Sequence, residues 1–95
     1  MYLEKLIRFT STCNVEVALS FSKYLNHYQL KIRDPFSVQT YSIRDGSFLQ
    51  AVFGSASTVE DSARDLLEKI EGKRLTLSKD QKTGKIKELP IVIII

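Results

Sequence analysis

The chain has 95 residues, of which 43% are hydrophobic and 26% are charged, with a net charge of +3. This balance favours a single domain spanning residues 1–95 that folds without a metal or disulfides, because such a chain buries roughly 60–65% of its surface. The only cysteine is Cys13, and no secretory signal is apparent. We therefore expect a cytoplasmic protein that is not membrane-bound, since the apolar C-terminal run is far shorter than the roughly 20 residues of a membrane span.

The first third of the chain predicts a strand followed by a helix. Residues 5–10 place Ile7 and Phe9 on one face of a strand. Several N-cap candidates follow at residues 11–14, and the apolar side chains after them recur at spacings of three and four. We expect a helix from about residue 14 to residue 27.

The middle of the chain is predicted to be β. Residues 29–33 alternate polar and apolar, and Pro35 interrupts them before extended character resumes at residues 36–43. Asp45-Gly46 is a preferred pair for a two-residue hairpin turn. The returning strand is expected at residues 48–53, ending at Gly54.

A second helix is predicted from a capping box and an apolar stripe. Ser57 and Glu60 have the spacing of the box, apolar residues repeat helically between 59 and 70, and Gly72 is a typical left-handed stop. Strands are expected at residues 74–78 and 86–89, with a turn at 79–85. The helix is expected to carry two outer ion pairs, Glu60–Arg64 and Asp65–Lys69.

The predicted elements follow one another as β-α-β-β-α-β, with a further C-terminal hairpin arm and tail. This order predicts the α+β fold class. It favours a ferredoxin-like two-layer sandwich in which two helices pack on one face of an antiparallel sheet.

The C-terminal tail is the most distinctive segment. Five consecutive β-branched residues close the chain, and a strand without polar alternation is typically covered on both faces. Left bare, such an edge would template aggregation. We therefore expect a non-enzymatic interaction module that forms a homo-oligomer, most simply a dimer, or docks on an unidentified protein partner. The expected interface residues are Ile91, Val92, Ile93, Ile94 and Ile95.

Nucleic-acid binding is the alternative. Residues 72–89 contain six lysines and arginines but only two carboxylates, and aromatic residues on strands can stack on single-stranded RNA or DNA. The competing interpretation, that the rings fill the core and the lysines are a solvated hairpin, stays open. The candidate contacts are Lys73, Arg74, Lys79, Lys82, Lys85, Lys87, Tyr41 and Phe48.

No catalytic, metal or cofactor site is expected. Cys13 precedes a predicted helix, where a thiol pKa can fall, but no histidine or second cysteine is near it in sequence. His27 is the only histidine and has no companion ligands nearby. The carboxylates of the second helix alternate with basic residues, which is typical of a solvated face.

Two local resemblances begin at the hairpin. Residues 44–51 resemble the third-strand octapeptide of RNA-recognition motifs: Arg44, Phe48 and Leu49 match, and Asp45 replaces a glycine. This resemblance implies RNA binding. The same hairpin and the helix after it are similar to the small capping domain of phycobilisome linkers. The residues in comparable order there are Arg44, Ser47, Phe48, Ile70, Gly72 and Lys73.

Overall fold

Two helices and seven strands make up the part of the chain described by this computed structural model, residues 1–37, 39–45, 48–77 and 88–93. Neither helix, at 12 residues each, is long and apolar enough to cross a bilayer. In chain order the elements are α1 (Tyr2–Cys13), β1 (Glu16–Ser22), β2 (His27–Arg33), β3 (Ser42–Asp45), β4 (Phe48–Ala51), β5 (Gly54–Ala56), α2 (Val59–Ile70), β6 (Arg74–Thr76) and β7 (Glu88–Ile91).

The N-terminal segment is a helix rather than a strand. α1 buries Leu6 and Thr10, which are four residues apart and therefore share one helical face. Asn14 ends the helix in the left-handed conformation (φ 55°) and donates its backbone N–H to the Thr10 carbonyl. The strand predicted at residues 5–10 is wrong.

The next segment is a β-hairpin. β1 and β2 pair in antiparallel fashion over their full lengths, and Asn26 takes a left-handed conformation (φ 54°) in the turn between them. The helix predicted at residues 14–27 is therefore wrong. The strand predicted at residues 29–33 is confirmed as part of β2.

The other edge of β2 carries two separate pieces of chain. β5 pairs with the first half of β2. Beyond it, the Tyr41 N–H donates to the Ile32 carbonyl (2.8 Å), and the Asp34 N–H donates to the Gln39 carbonyl (2.8 Å). Between these two pieces the chain departs as the β3–β4 hairpin. This hairpin leaves the three-stranded sheet β1-β2-β5 and begins a second sheet.

The second sheet has the order β4-β3-β6-β7 and is antiparallel throughout. Asp45 pairs with Phe48, which confirms the predicted hairpin. The prediction that Asp45 is a turn residue is wrong, because Asp45 is the last residue of β3. The register shifts between β6 and β7, so that Leu89 and Pro90 of β7 both lie opposite Leu75 of β6. Such a bulge accommodates a proline, which has no N–H to donate.

Several predicted strand bounds differ from the observed ones. Residues 35–37 form a turn, which overlaps the start of the extended segment predicted at 36–43. β4 ends at Ala51, and Gly54 begins β5 rather than ending a strand. β6 confirms most of the strand predicted at 74–78, whereas the turn predicted at 79–85 and the first half of the last predicted strand lie outside the described residues.

α2 is confirmed, with its cap one residue later than predicted. The Thr58 side chain accepts the Asp61 N–H, so Thr58 is the N-cap. Gly72 takes the expected left-handed conformation (φ 75°). The Asp65–Lys69 pair is confirmed at 2.9 Å. Arg64 instead pairs with Asp61 (3.7 Å), and the Glu60 carboxylate accepts the Tyr2 and Leu3 N–H groups at the start of α1.

The fold is a small α+β domain with two helices and two antiparallel sheets, which confirms the predicted class. The ferredoxin-like topology is not confirmed, because the described chain begins with a helix and places five strands before its second helix. The core gathers buried side chains from both helices and both sheets. They include Leu6, Leu30, Ile32, Tyr41, Val52, Leu66, Ile70, Leu75 and Val92.

Candidate functional site: an open sheet edge and an apolar groove

Among the described strands, β7 lies at one edge of the four-stranded sheet. Ile91 is 52% exposed and Ile93 is 74% exposed, whereas Val92 between them is only 1% exposed. The backbone of Val92 faces inward, because its N–H donates to the Lys73 carbonyl (2.8 Å) and its carbonyl accepts the Gly72 N–H (2.8 Å). Of the five predicted interface residues, Ile91 and Ile93 are thus on the surface and Val92 is in the core. Ile94 and Ile95 lie outside the described residues.

A groove of about 440 Å³ lies between the β3–β4 hairpin and the C-terminal end of α2. Ile43 on β3 and Gln50 on β4 are directly paired, so they share the face of the sheet that borders the groove. Val52 and Phe53, which follow β4, contribute apolar surface. Phe48 lies on the same face of β4 as Gln50 and is 76% exposed at the tip of the hairpin.

Lys69 and Lys73 give the groove a basic rim, and Glu68 adds one carboxylate. The Lys69 ammonium lies 5.8 Å from the centre of the Phe53 ring, within the range of a cation–π contact. It also donates to the Phe53 carbonyl (3.1 Å) and to the Asp65 carboxylate (2.9 Å). These contacts hold Lys69 at one side of the groove.

Asp65 positions Lys69 and also joins α2 to β5, because its carboxylate accepts the Ser55 N–H (2.9 Å). Burial by itself raises the pKa of the Asp65 carboxyl. The hydrogen bonds from Lys69 and Ser55, together with the positive charges of Lys69 and Arg64, outweigh burial and lower this pKa from its ordinary value. The folded state therefore favours the ionised form of Asp65.

We expect Asp65→Asn to destabilise the protein at neutral pH, with the difference from wild type shrinking on acidification. A carboxyl whose pKa is lower in the folded state stabilises the fold above its unfolded pKa of about 3.9. That contribution is lost as the pH falls through the folded pKa. Urea unfolding at about pH 7 and about pH 3 measures the difference. Glu68→Gln, which removes the same charge from α2, is the control. A pH-independent difference would contradict the assignment.

The described residues do not gather the predicted nucleic-acid contacts on one surface. Lys73 lines the groove and Phe48 is exposed beside it. Arg74 does not line the groove and pairs with Glu88 (3.6 Å). Tyr41 is fully buried, so its ring is not available for stacking. The other four, Lys79, Lys82, Lys85 and Lys87, lie outside the described residues.

No group of three potential metal ligands is present among the described residues. Cys13 is a half-buried free thiol at the end of α1, with the Thr12 hydroxyl 3.8 Å away. His27 begins β2 and lies 3.4 Å from the Ser55 hydroxyl through its Nδ1. Cys13 and His27 lie at the ends of different elements, and no contact joins their side chains among the described residues.

The groove was not predicted from the sequence. Phe53 and Lys69 are 16 residues apart in the chain and meet only because β5 packs against α2. The short-range signal that does exist is the run of apolar residues after the hairpin, which the sequence interpretation assigned to one continuous strand.

The comparisons with known proteins give no further guide to function. No protein-family model, no curated protein and no solved structure matches the chain. The two local resemblances of the hairpin segment therefore have no family match behind them, and the arguments for function depend on the geometry of the edge strand and the groove.

Proposed function

We propose that this protein is a small, non-enzymatic interaction module that assembles as a homodimer through the open edge of β7. The observation that carries the proposal is the exposure of Ile91, the last residue of the outer strand β7, and of Ile93 just beyond it. Unpaired edge strands with apolar side chains readily accept another strand.

The backbone of the strand suits pairing with a second copy. Because the N–H and C=O groups of Val92 point inward, strand alternation turns those of Ile91 and Ile93 toward the open edge. An antiparallel partner centred on Val92 places Ile91 opposite Ile93 of the other copy. The arrangement is symmetric, so the same two residues complete the pairing twice.

The side chains add an apolar contribution to this pairing. Ile91 and Ile93 alternate with Val92 and therefore lie on one face of the strand. Complete burial of an isoleucine side chain contributes about 1.5–3 kcal/mol. Four partly exposed isoleucines, two from each copy, supply a driving force for association if the second copy covers them.

Ile93→Asp is expected to convert the dimer into a monomer, because it places a charge opposite the apolar side chain of Ile91 of the other copy, twice in each dimer. Size-exclusion chromatography with light scattering measures the mass of each species. The matched control is Leu25→Asp, which introduces the same charge at a 59% exposed residue in the turn between β1 and β2. This control should remain a dimer.

Two results would contradict the proposed dimer. If the wild-type protein is still a monomer at the highest concentration at which its mass can be measured, the chain does not self-associate. A dimer that persists in Ile93→Asp but is lost in Leu25→Asp would move the interface to the region of β1.

A further inference from the structure

We propose that the groove between the β3–β4 hairpin and the end of α2 binds a small organic anion. The ligand has an apolar body, preferably aromatic, and one negatively charged group such as a carboxylate or sulfonate. This inference does not rest on the proposed dimer. The groove-lining strand β4 and β7 lie at opposite edges of the four-stranded sheet, and the two surfaces meet at the main chain of Lys73, whose carbonyl accepts the Val92 N–H.

The size and shape of the groove fit such a ligand. Sites for small molecules typically have volumes of about 300–1,000 Å³, and the groove, at about 440 Å³, lies within that range. Its walls come from two elements: Ile43 and Gln50, which are paired across β3 and β4, and Glu68 and Lys69 near the end of α2.

The apolar part of the ligand has a matching surface. Val52 is 3% exposed and forms a buried floor, with Ile43 beside it. Phe53 is 39% exposed, so part of its ring remains available for contact. A planar aromatic ligand would bury this surface and stack on the ring or meet its edge.

The charge of the rim fits one anionic group. Lys69 is already paired with Asp65, and Glu68 adds a further negative charge. Lys73 has no ion pair among the described residues and lines the same groove. Its ammonium is therefore the cation for an incoming anion, and the Gln50 amide provides a neutral hydrogen-bond donor.

The charges that the described residues place on the rim fit one anionic group better than a nucleic-acid strand. Single-stranded nucleic acid is held by a series of cations that follow its phosphates, in addition to stacking rings. The described rim of the groove offers one unpaired lysine together with a carboxylate. A single anionic group on a compact apolar body matches this arrangement better.

The test uses 8-anilinonaphthalene-1-sulfonate, which has an aromatic body and one sulfonate and fluoresces when it is bound. We expect one probe to bind per chain. Lys73→Gln should weaken binding about three- to five-fold, the range of one partly exposed ion pair. The control Lys23→Gln removes the same charge from the β1–β2 turn and should leave the dissociation constant unchanged. Because the Lys73 carbonyl that holds Val92 is retained, the variant does not disturb β7.

Two further binding measurements separate the effect of the charge of Lys73 from the effect of the shape of the groove. N-phenyl-1-naphthylamine, the uncharged analogue of the probe, should bind wild type and Lys73→Gln equally. Gln50→Trp fills the groove from an exposed strand position and should weaken binding of both compounds more than tenfold. Circular dichroism spectra and cooperative thermal unfolding must match wild type in each variant, so that loss of binding reports the groove.

Several outcomes would overturn the proposal. These are no binding to the folded wild-type protein, equal affinities in Lys73→Gln and Lys23→Gln, or unchanged binding in Gln50→Trp. Displacement of the probe by a single-stranded oligonucleotide, with a Lys73-dependent affinity that exceeds that of the organic anion, would identify a nucleic-acid interface instead.

Discussion

Gly54→Ala is expected to lower the free energy of unfolding by about 3 kcal/mol, the upper end of the usual range for overpacking, since a clash with backbone atoms is seldom relieved by side-chain movement. Gly54 begins β5 at the point where the strand crosses α2. A Cβ atom there would overlap the Ser62 carbonyl oxygen and would lie 2.7 Å from the Leu66 Cβ and 2.8 Å from the Leu66 nitrogen. The substitution therefore requires the strand and the helix to separate.

Gly72→Ala is the matched control for this experiment. A Cβ at position 72 would meet nothing within 4 Å, but the residue has a φ of +75°. Its substitution should cost only about 1–2 kcal/mol, the price of the left-handed conformation for an L-residue. Urea denaturation followed by circular dichroism measures both variants. Equal stabilities of Gly54→Ala and wild type would contradict the close approach of β5 and α2.

Leu6→Ala is expected to lower the free energy of unfolding by about 2–4 kcal/mol, because it leaves a cavity in the core. Leu6 is fully buried in α1, whereas its neighbour Ile7 is 50% exposed. Ile7→Ala should change the stability by about 0.5 kcal/mol, as is usual for surface positions. The two variants have adjacent positions and remove aliphatic side chains of equal size.

The comparison also separates a helix from a strand at the N-terminus. A strand over residues 5–10 would turn Ile7 toward the core and Leu6 away from it, so the larger loss would then occur in Ile7→Ala. Chemical denaturation of both variants, with wild type alongside, distinguishes the two structures. A larger effect at Ile7 would contradict α1.

Strong local signals account for the elements that were predicted well. α2 has a polar residue before it, an apolar stripe along it and a left-handed glycine after it, all within 15 residues. The hairpin between β3 and β4 has the sequence Asp45-Gly46 between alternating segments, although Asp45 itself belongs to β3. In both cases the groups that define the element are close in sequence, so the local pattern is sufficient.

Segments whose apolar residues fit two periodicities were assigned wrongly. Phe21 belongs both to a helical spacing with Leu25 and to the strand alternation of Val17 and Leu19. The antiparallel pairing with β2 selects the strand, and the Phe21 and Tyr28 rings then meet at 5.1 Å between centroids. At the N-terminus the same ambiguity was decided in favour of the helix, because α1 packs Leu6 into the core beside α2.

The two candidate surfaces also differ in how far the sequence predicts them. The exposed apolar edge at Ile91 and Ile93 follows from the tail composition, although the inward position of Val92 depends on its bonds to Gly72 and Lys73. The groove required the complete fold. Its walls come from the β3–β4 hairpin and from α2, and no short segment contains both.

The sequence by itself determined the α+β class, the second helix, the β3–β4 hairpin and the apolar character of the C-terminal strand. These features depend on propensity, capping and turn chemistry, which act over a few residues. The tertiary structure decided the identity of the first two segments, the division into two sheets and the position of the groove. These features depend on which apolar faces bury one another. The arrangement adopted is the one in which the whole chain has the lowest free energy, and the sequence of one segment does not give that free energy.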